Sequence, residues 1–251
     1  KRLPPDMKAL LRSHGDLYRI GLHGPDILFY YRPLGKNKVN QLGSRMHSES
    51  GGKFFVHAAK VLHTHDQYEK HLAYVYGVLC HFALDETCHG YVEQAVKETG
   101  LAHIAVEGEL DRKLMIMNGE NPVSRRLTGH IVPSMKNAII IKDFYRGITA
   151  KEVKKALNGM VFYDRILVCP SKIKRMALYA ALKVAGLYYD FHGVIIKYHE
   201  NESCREQIRK LLHLYEKAVP LADKLICEYK PFLDGNATLD SVYAYTFGSQ
   251  F

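Results

Sequence analysis

Apolar side chains recur at intervals of three and four residues along almost the whole chain, which is the spacing of one face of an α-helix. Alternation of apolar and polar residues, the pattern of a β-strand, is confined to short stretches such as NAIIIKD at residues 137–143. The pattern therefore predicts an all-α protein. The predicted helices are residues 5–13, 40–48, 53–63, 66–99 with a weak point at Gly90, 102–117, 135–145, 150–167, 171–187 and 203–229 with a bend at Pro220.

The longest predicted loop is residues 118–134, NGENPVSRRLTGHIVPS, in which two Gly and two Pro interrupt the helical pattern. Residues 16–117, approximately, contain most of the chemically informative positions, and the helices at about 134–230 have ordinary amphipathic patterns that suit a supporting role. No internal repeat or low-complexity linker divides the chain. We therefore expect residues 1–251 to form a single α-helical domain.

The net charge of the chain indicates which kinds of partner it is suited to bind. Lys and Arg number 35 against 26 Asp and Glu, and the formal charge of +9 favours anionic partners such as phosphates, phospholipid surfaces or nucleic acid. No apolar stretch reaches the roughly 18–20 residues of a membrane span, and the start KRLPPDMK leads into no apolar signal-peptide core. We expect a soluble protein whose location is cytoplasmic or left open by the sequence, that makes transient contact with a membrane surface and has no obligate protein partner.

The segment CHFALDETCHG, residues 80–90, places His81, Asp85 and His89 four residues apart. Each helical residue turns the direction by about 100°, so all three side chains share one face. Ligands four apart lie roughly 6 Å apart along the axis, so His81 with Asp85, or Asp85 with His89, can chelate one ion. His81 and His89 are about 12 Å apart and cannot share an ion. Asp85 is therefore placed to bridge two ions.

A second helix repeats the pattern. HIAVEGELD supplies His103 and Glu107 at i and i+4, while Asp26 follows a Gly-Pro turn and His47 lies near a predicted helix end. Facing helices with His and carboxylate side chains can close a metal site between them. Without thiolate ligands the set favours an open, catalytic zinc site over a closed, structural one.

A structural interpretation competes with this one, because a single His four residues from a carboxylate is often a surface pair or a hydrogen-bonded core residue. Three such pairs in one short region favour the metal site. The other four histidines of the region are predicted to be non-ligands: His57, His63, His65 and His71.

Four segments in order, GLHGPDILFYYRPL, MHSESGGKFF, GVLCHFALDETCHGYVE and HIAVEGELDR, resemble the zinc-dependent phospholipase C family. The resemblance covers roughly residues 16–112. The order of the ligands along the chain is also similar to that in the single-strand-specific zinc nucleases. It implies a multi-helix bundle with a zinc cluster in a cleft. It also implies two ligand sets, the first being Asp26, His47, His81 and Asp85 and the second His89, His103 and Glu107.

The family's third zinc uses the amino group of the mature first residue and a histidine shortly after it. Neither His14 nor His23 stands where that histidine would be, and Lys1 is only 25 residues before Asp26. We therefore expect two or three zinc ions, the third depending on an N-terminal segment that this chain lacks. Because the N-terminal segment departs from the family pattern, the sequence also does not decide whether the full-length protein is exported.

Zinc lowers the pKa of bound water and stabilises negative charge, which predicts hydrolysis of a phosphoric diester. The first hypothesis is phospholipase C-like cleavage of a phospholipid head group, with Asp26 as both ligand and catalytic residue and with Arg32 and Tyr30 binding substrate. A zinc-dependent nuclease or nucleotidase is one alternative. A non-catalytic helical metal-binding protein is another.

Overall fold

The computed structural model describes residues 3–248, apart from the side chain of Asp190, and these residues form an all-α protein. No β-strand occurs within that range; one isolated antiparallel bridge joins Ser50 to Thr246. The α-helices are α1 Pro5–Ser13, α2 Gly15–Gly21, α3 Lys38–Ser48, α4 Gly51–Thr64, α5 Tyr68–Thr99, α6 His103–Met117, α7 Met135–Lys142, α8 Ala150–Leu167, α9 Lys172–Val184, α10 Tyr188–Phe191 and α11 Arg205–Leu233. In the described residues no helix is both long and apolar enough to cross a membrane.

The predicted all-α class is confirmed, and differences lie mainly at helix ends and in short helices. α5 continues through Gly90 without a break, and α11 continues through Pro220. α2 and a 3-10 helix at Gly24–Tyr30 were not predicted, because each is only seven residues long and two glycines lie at their junction.

The chain divides into two compact units. Unit 1 comprises Lys1–Thr87, Gly129–Val161 and Lys217–Phe251, and unit 2 comprises Cys88–Thr128 and Phe162–Glu216. The predicted division was different, with a metal-site half at about residues 16–117 and supporting helices at about 134–230. The observed boundary after Thr87 divides that metal-site half between the two units. The single-domain organisation stays a prediction.

Unit 1 is organised around an aromatic core. The Phe55 ring lies 5.0–6.1 Å, centroid to centroid, from the rings of Phe82, Tyr229, Tyr243 and Phe247. Tyr229 donates a hydrogen bond of 2.8 Å to the Phe55 carbonyl, so the one polar atom of that buried ring is satisfied. Burial of large rings supplies most of the stabilisation that holds these helices together.

Close backbone contact fixes α2 against α5. A Cβ atom added at Gly77 would lie 2.2 Å from the Tyr18 carbonyl oxygen, and one added at Gly21 would lie 2.3 Å from the Tyr74 carbonyl oxygen. Only glycine allows this approach. The crossing sets the position of the chain that follows α2, which carries Asp26, relative to His81 one turn after Gly77.

The start of α3 is also fixed locally. The Asn37 side chain accepts hydrogen bonds from the backbone N–H groups of Val39 and Asn40, and the Asn40 side chain accepts from the Asn37 N–H, which together form a capping box. A capped first turn holds α3 in place, and this helix carries His47 near its other end.

Unit 2 contains α6 and a buried ion pair on it. The Arg112 Nε atom donates to Glu109 Oε1 at 2.7 Å, and both side chains are 5% exposed. Gly108 on the same helix packs against the Gly193 carbonyl, where an added Cβ would lie 2.8 Å from the oxygen. α6 is thus held by close contacts on the turn after Glu107.

Candidate metal centre

Asp26 is positioned by the turn that precedes it. Gly24 has a φ of +47° and lies flat against the His81 imidazole, where an added Cβ would be 2.1 Å from Cδ2. Pro25 then occupies the first turn of the 3-10 helix and fixes its φ. The sequence Gly-Pro-Asp therefore brings a carboxylate to the His81 ring.

Three side chains from three helices meet at this point. His47 Nε2 lies 2.8 Å from Asp26 Oδ1, and His81 Nε2 lies 3.9 Å from Asp26 Oδ2. Asp26, His47 and His81 each offer one ligand atom, all within 4.8 Å of one another. Asp85 Oδ2 adds a fourth donor atom, 3.1 Å from His81 Nε2.

The His47 ring is held so that Nε2 faces this cluster. Its Nδ1 atom donates to the Gly43 carbonyl at 2.8 Å, so Nε2 carries no proton in the neutral ring. A lone pair on Nε2 beside the Asp26 carboxylate requires a proton or a cation between them. An imidazole anchored through its other nitrogen is the usual arrangement of a histidine metal ligand.

His81 provides the clearest test of whether a metal ion fits. Its side chain is 7% exposed, and Nε2 is buried without a well-aligned hydrogen bond although carboxylate oxygens surround it. Buried nitrogen atoms are normally paired. A cation bound jointly by His81, Asp26 and Asp85 would satisfy this atom, so the residues present fit a zinc ion.

The electrostatics favour a bound cation. Burial opposes protonation of His81, but the carboxylates of Asp85 and Asp26 outweigh it and raise the pKa of His81 to about 9. Partial burial opposes ionisation of Asp26, but His81 and His47 hold the pKa of Asp26 below its usual value. The Asp26 carboxylate thus stays ionised and attracts positive charge, whether a proton or a metal ion.

A second group of donors lies in unit 2. His89, Glu93 and His103 each offer a ligand atom within 4.8 Å of the others, and the His89 and His103 rings are 4.7 Å apart between centroids. His89 Nδ1 is buried without a hydrogen-bond partner, as His81 Nε2 is. These residues also fit an ion.

His103 has a carboxylate at each ring nitrogen. Nδ1 lies 2.9 Å from Glu93 Oε1, and Nε2 lies 3.0 Å from Glu107 Oε1. The predicted ligand Glu107 is therefore beside His103. Glu93 was missed, although it is four residues after His89 and a count of His-x3-carboxylate pairs along α5 would have found it.

The two predicted substrate-binding residues are the last residue of the 3-10 helix, Tyr30, and Arg32, two residues after it. Arg32 is exposed, has a φ of +49° and places its guanidinium 5.6 Å from the centre of the Tyr31 ring. Tyr30 is partly buried, with its carbonyl packed against Gly159. Contact of either residue with substrate stays a prediction, as does the third zinc ion.

Unit 1 also contains a groove of about 610 Å³. Phe247 lines the groove and its ring is 6.3 Å from the His47 ring, while the donor residues themselves are not among the lining residues. Apolar side chains form much of its wall: Leu42, Met46, Phe54, Val56, Phe144 and Phe247. Basic side chains also line it: Arg45, Lys53, Lys60 and Arg146.

Comparison with known proteins gives one match. The profile of the family described as zinc dependent phospholipase C matches residues 1–159, a range that contains every donor of both groups. No curated protein and no solved structure matches the chain.

Proposed function

Because the chain belongs to the zinc-dependent phospholipase C family, we propose that it hydrolyses phospholipids, releasing the phosphorylated head group from diacylglycerol. Water adds to phosphorus, the bond from phosphorus to the glycerol oxygen breaks, and that oxygen leaves with a proton. The observation that carries the proposal is the convergence of Asp26, His47 and His81 around a buried imidazole nitrogen that has carboxylate neighbours but no well-aligned hydrogen bond.

We assign one zinc ion to Asp26, His47, His81 and Asp85, and a second to His89, His103 and Glu107. Bound zinc supplies a Lewis acid that lowers the pKa of water and offsets charge on phosphate oxygens. The assignment of ligands follows the resemblance. Donor distances support it for Asp26, His47 and His81, and Asp85 lies 3.1 Å from His81 Nε2. In the second group the carboxylate that lies close to both histidines is Glu93, while Glu107 contacts His103 alone. That Asp85 bridges two ions was predicted from helical spacing alone and stays a prediction.

Asp26 is proposed as the catalytic residue. The Asp26 side chain is 43% exposed, whereas that of His81 is 7% exposed. One oxygen of the Asp26 carboxylate can therefore bind the metal ion while the other contacts water. Its low pKa keeps it ionised at neutral pH, as a group that accepts a hydrogen bond from the attacking water must be.

The groove favours a lipid over a nucleotide. An acyl chain needs an apolar surface next to the site of chemistry, and Phe247 and Met46 provide one beside His47. The basic residues along the same groove suit an anionic membrane surface, in keeping with the net charge of +9.

The test is zinc content and turnover of His81→Ala. We expect the variant to lose one zinc ion and more than about 100-fold of its activity on phosphatidylcholine vesicles, because loss of a direct ligand costs more than loss of a supporting contact. His63→Ala, an exposed histidine near the end of α4, is the matched control and should keep both. Full zinc content in His81→Ala would contradict the ligand assignment.

Substrate assays separate the alternatives. Chelator-sensitive cleavage of vesicle lipid supports the phospholipase, whereas chelator-sensitive cleavage of single-stranded DNA without lipid cleavage would replace it with a nuclease. Zinc binding with neither activity would favour a non-catalytic metal-binding protein.

A further inference from the structure

Three ends of helices meet at a place in unit 1 that neither ligand set includes. His65 is the residue after α4, His71 lies in the first turn of α5, and Asp143 is the residue after α7. His71 Nε2 is 3.1 Å from Asp143 Oδ2, and His65 Nδ1 is 3.8 Å from the same oxygen. One ligand atom from each residue lies within 4.8 Å of the others.

The orientation of His71 requires a positive centre at Nε2. Nδ1 lies 2.9 Å from the Gln67 carbonyl, which can only accept, so the ring proton is on Nδ1. Nε2 then faces a carboxylate oxygen, and two acceptors cannot lie 3.1 Å apart without a proton or a cation between them. His71 is 2% exposed, and His47 has the same arrangement beside Asp26.

The surroundings leave one carboxylate oxygen available to an ion. Lys142 Nζ contacts Asp143 Oδ1, so the other oxygen, Oδ2, is the one that both histidines approach. The His65 and His71 rings are stacked 4.9 Å apart, with their nitrogen atoms on the side of Oδ2. His65 is 40% exposed, which gives an ion a route from solvent.

We propose that His65, His71 and Asp143 bind one divalent transition-metal ion such as Zn²⁺, separately from the family centre. Two imidazoles and one carboxylate are a set that zinc accepts, with water in the fourth position. The ion clamps the end of α4, the start of α5 and the end of α7. This inference does not depend on the proposed function.

The test is zinc content of the full chain at a buffered free zinc concentration. We expect His65→Ala and Asp143→Asn each to contain one zinc ion fewer than the unaltered protein. His63→Ala, two residues before His65 and also exposed, should match the unaltered protein. Equal zinc content in His65→Ala and the unaltered protein would overturn the proposal, leaving a His71–Asp143 ion pair without metal.

Cobalt substitution identifies the site independently. In a His81→Ala, His103→Ala background, which removes ligands of both family ions, one equivalent of Co²⁺ should still give visible ligand-field absorption. Adding Asp143→Asn should abolish this absorption or raise the Kd for Co²⁺ by about tenfold or more. If the background does not fold by circular dichroism, the zinc content of His65→Ala still decides, because that exposed residue lies outside the core.

Discussion

At the scale of single residues, His103 is the most informative, because it has a carboxylate at each nitrogen. An imidazole binds a metal through one nitrogen and carries a proton on the other. In the proposed zinc site, one of Glu93 and Glu107 therefore shares the ion with His103 and the other accepts the ring N–H. Glu107 lies four residues after His103, and Glu93 lies four residues after His89, so both spacings suit chelation. The family resemblance assigns Glu107 as the ligand.

We predict that Glu107→Gln loses the second zinc ion, while Glu93→Gln keeps it with a Kd raised about 10–100-fold, the cost of losing an orienting partner. Zinc titration with a competing chelator measures both variants. The opposite result, loss of the ion in Glu93→Gln alone, would place the metal on Nδ1 with His89 and Glu93.

Spacing along the sequence was sufficient to propose five of the seven ligands, because a helix brings i and i+4 side chains together and both His81–Asp85 and His103–Glu107 are such pairs. Asp26 and His47 have no such partner, and the family resemblance was needed to include them in the ligand set. The site at Asp143 could not be found in the same way. His71 and Asp143 are 72 residues apart, and only the packing of helix ends brings them together. His65 and His71 were accordingly predicted to be non-ligands.

At the scale of helices, the α2–α5 crossing controls the first donor group. Gly77→Ala would place a Cβ atom 2.2 Å from the Tyr18 carbonyl and 2.7 Å from the Gly21 backbone. Because backbone atoms cannot rotate away, α2 must shift, and with it the 3-10 helix that carries Asp26. We predict a loss of about 1–3 kcal/mol in the free energy of unfolding and weaker zinc binding.

Gly90→Ala is the matched control on the same helix. An added Cβ there meets no atom within 4 Å, so the higher helix propensity of alanine should stabilise α5 by about 0.5–1 kcal/mol. Urea unfolding and zinc titration of both variants give the comparison. Equal stability of the two variants would show that the crossing is looser than the structure indicates.

The sequence predicted several helices closely: α1 and α8 have the predicted bounds, and α6 begins one residue later than predicted. It did not predict α2 or the 3-10 helix, where the glycines look like loop residues. Gly21 is instead part of α2 and is required by contact with α5, a reason that only the tertiary structure reveals.

At the scale of the whole molecule, each compact unit contains one of the two donor groups to which we assign zinc. The all-α fold class could be predicted from the helical periodicity of apolar residues, but the division into two units could not. Unit 1 joins three separate stretches of the chain, and such long-range association leaves no mark on local patterning. Metal binding is therefore expected to contribute to the stability of both units.

We predict that a chelator lowers the melting temperature. An ion present at about 1,000 times its Kd stabilises the folded state by roughly 4 kcal/mol, which at roughly 2–4 °C per kcal/mol corresponds to roughly 8–16 °C for one site. Differential scanning calorimetry of the protein with zinc, with chelator, and with zinc restored measures the effect; Mg²⁺ at the same concentration should not restore it, because the nitrogen-rich donor sets suit zinc.

His81→Ala should remove part of this shift and leave the rest, since unit 2 keeps His89, His103 and Glu107. A melting temperature unaffected by chelator would mean that His81 Nε2 and His89 Nδ1 are simply unsatisfied and that the likeness to the family is one of fold. A large shift in a protein without turnover on any phosphodiester would show zinc acting only to stabilise the fold. Stability and turnover measured on the same sample therefore separate the metal site from its chemistry.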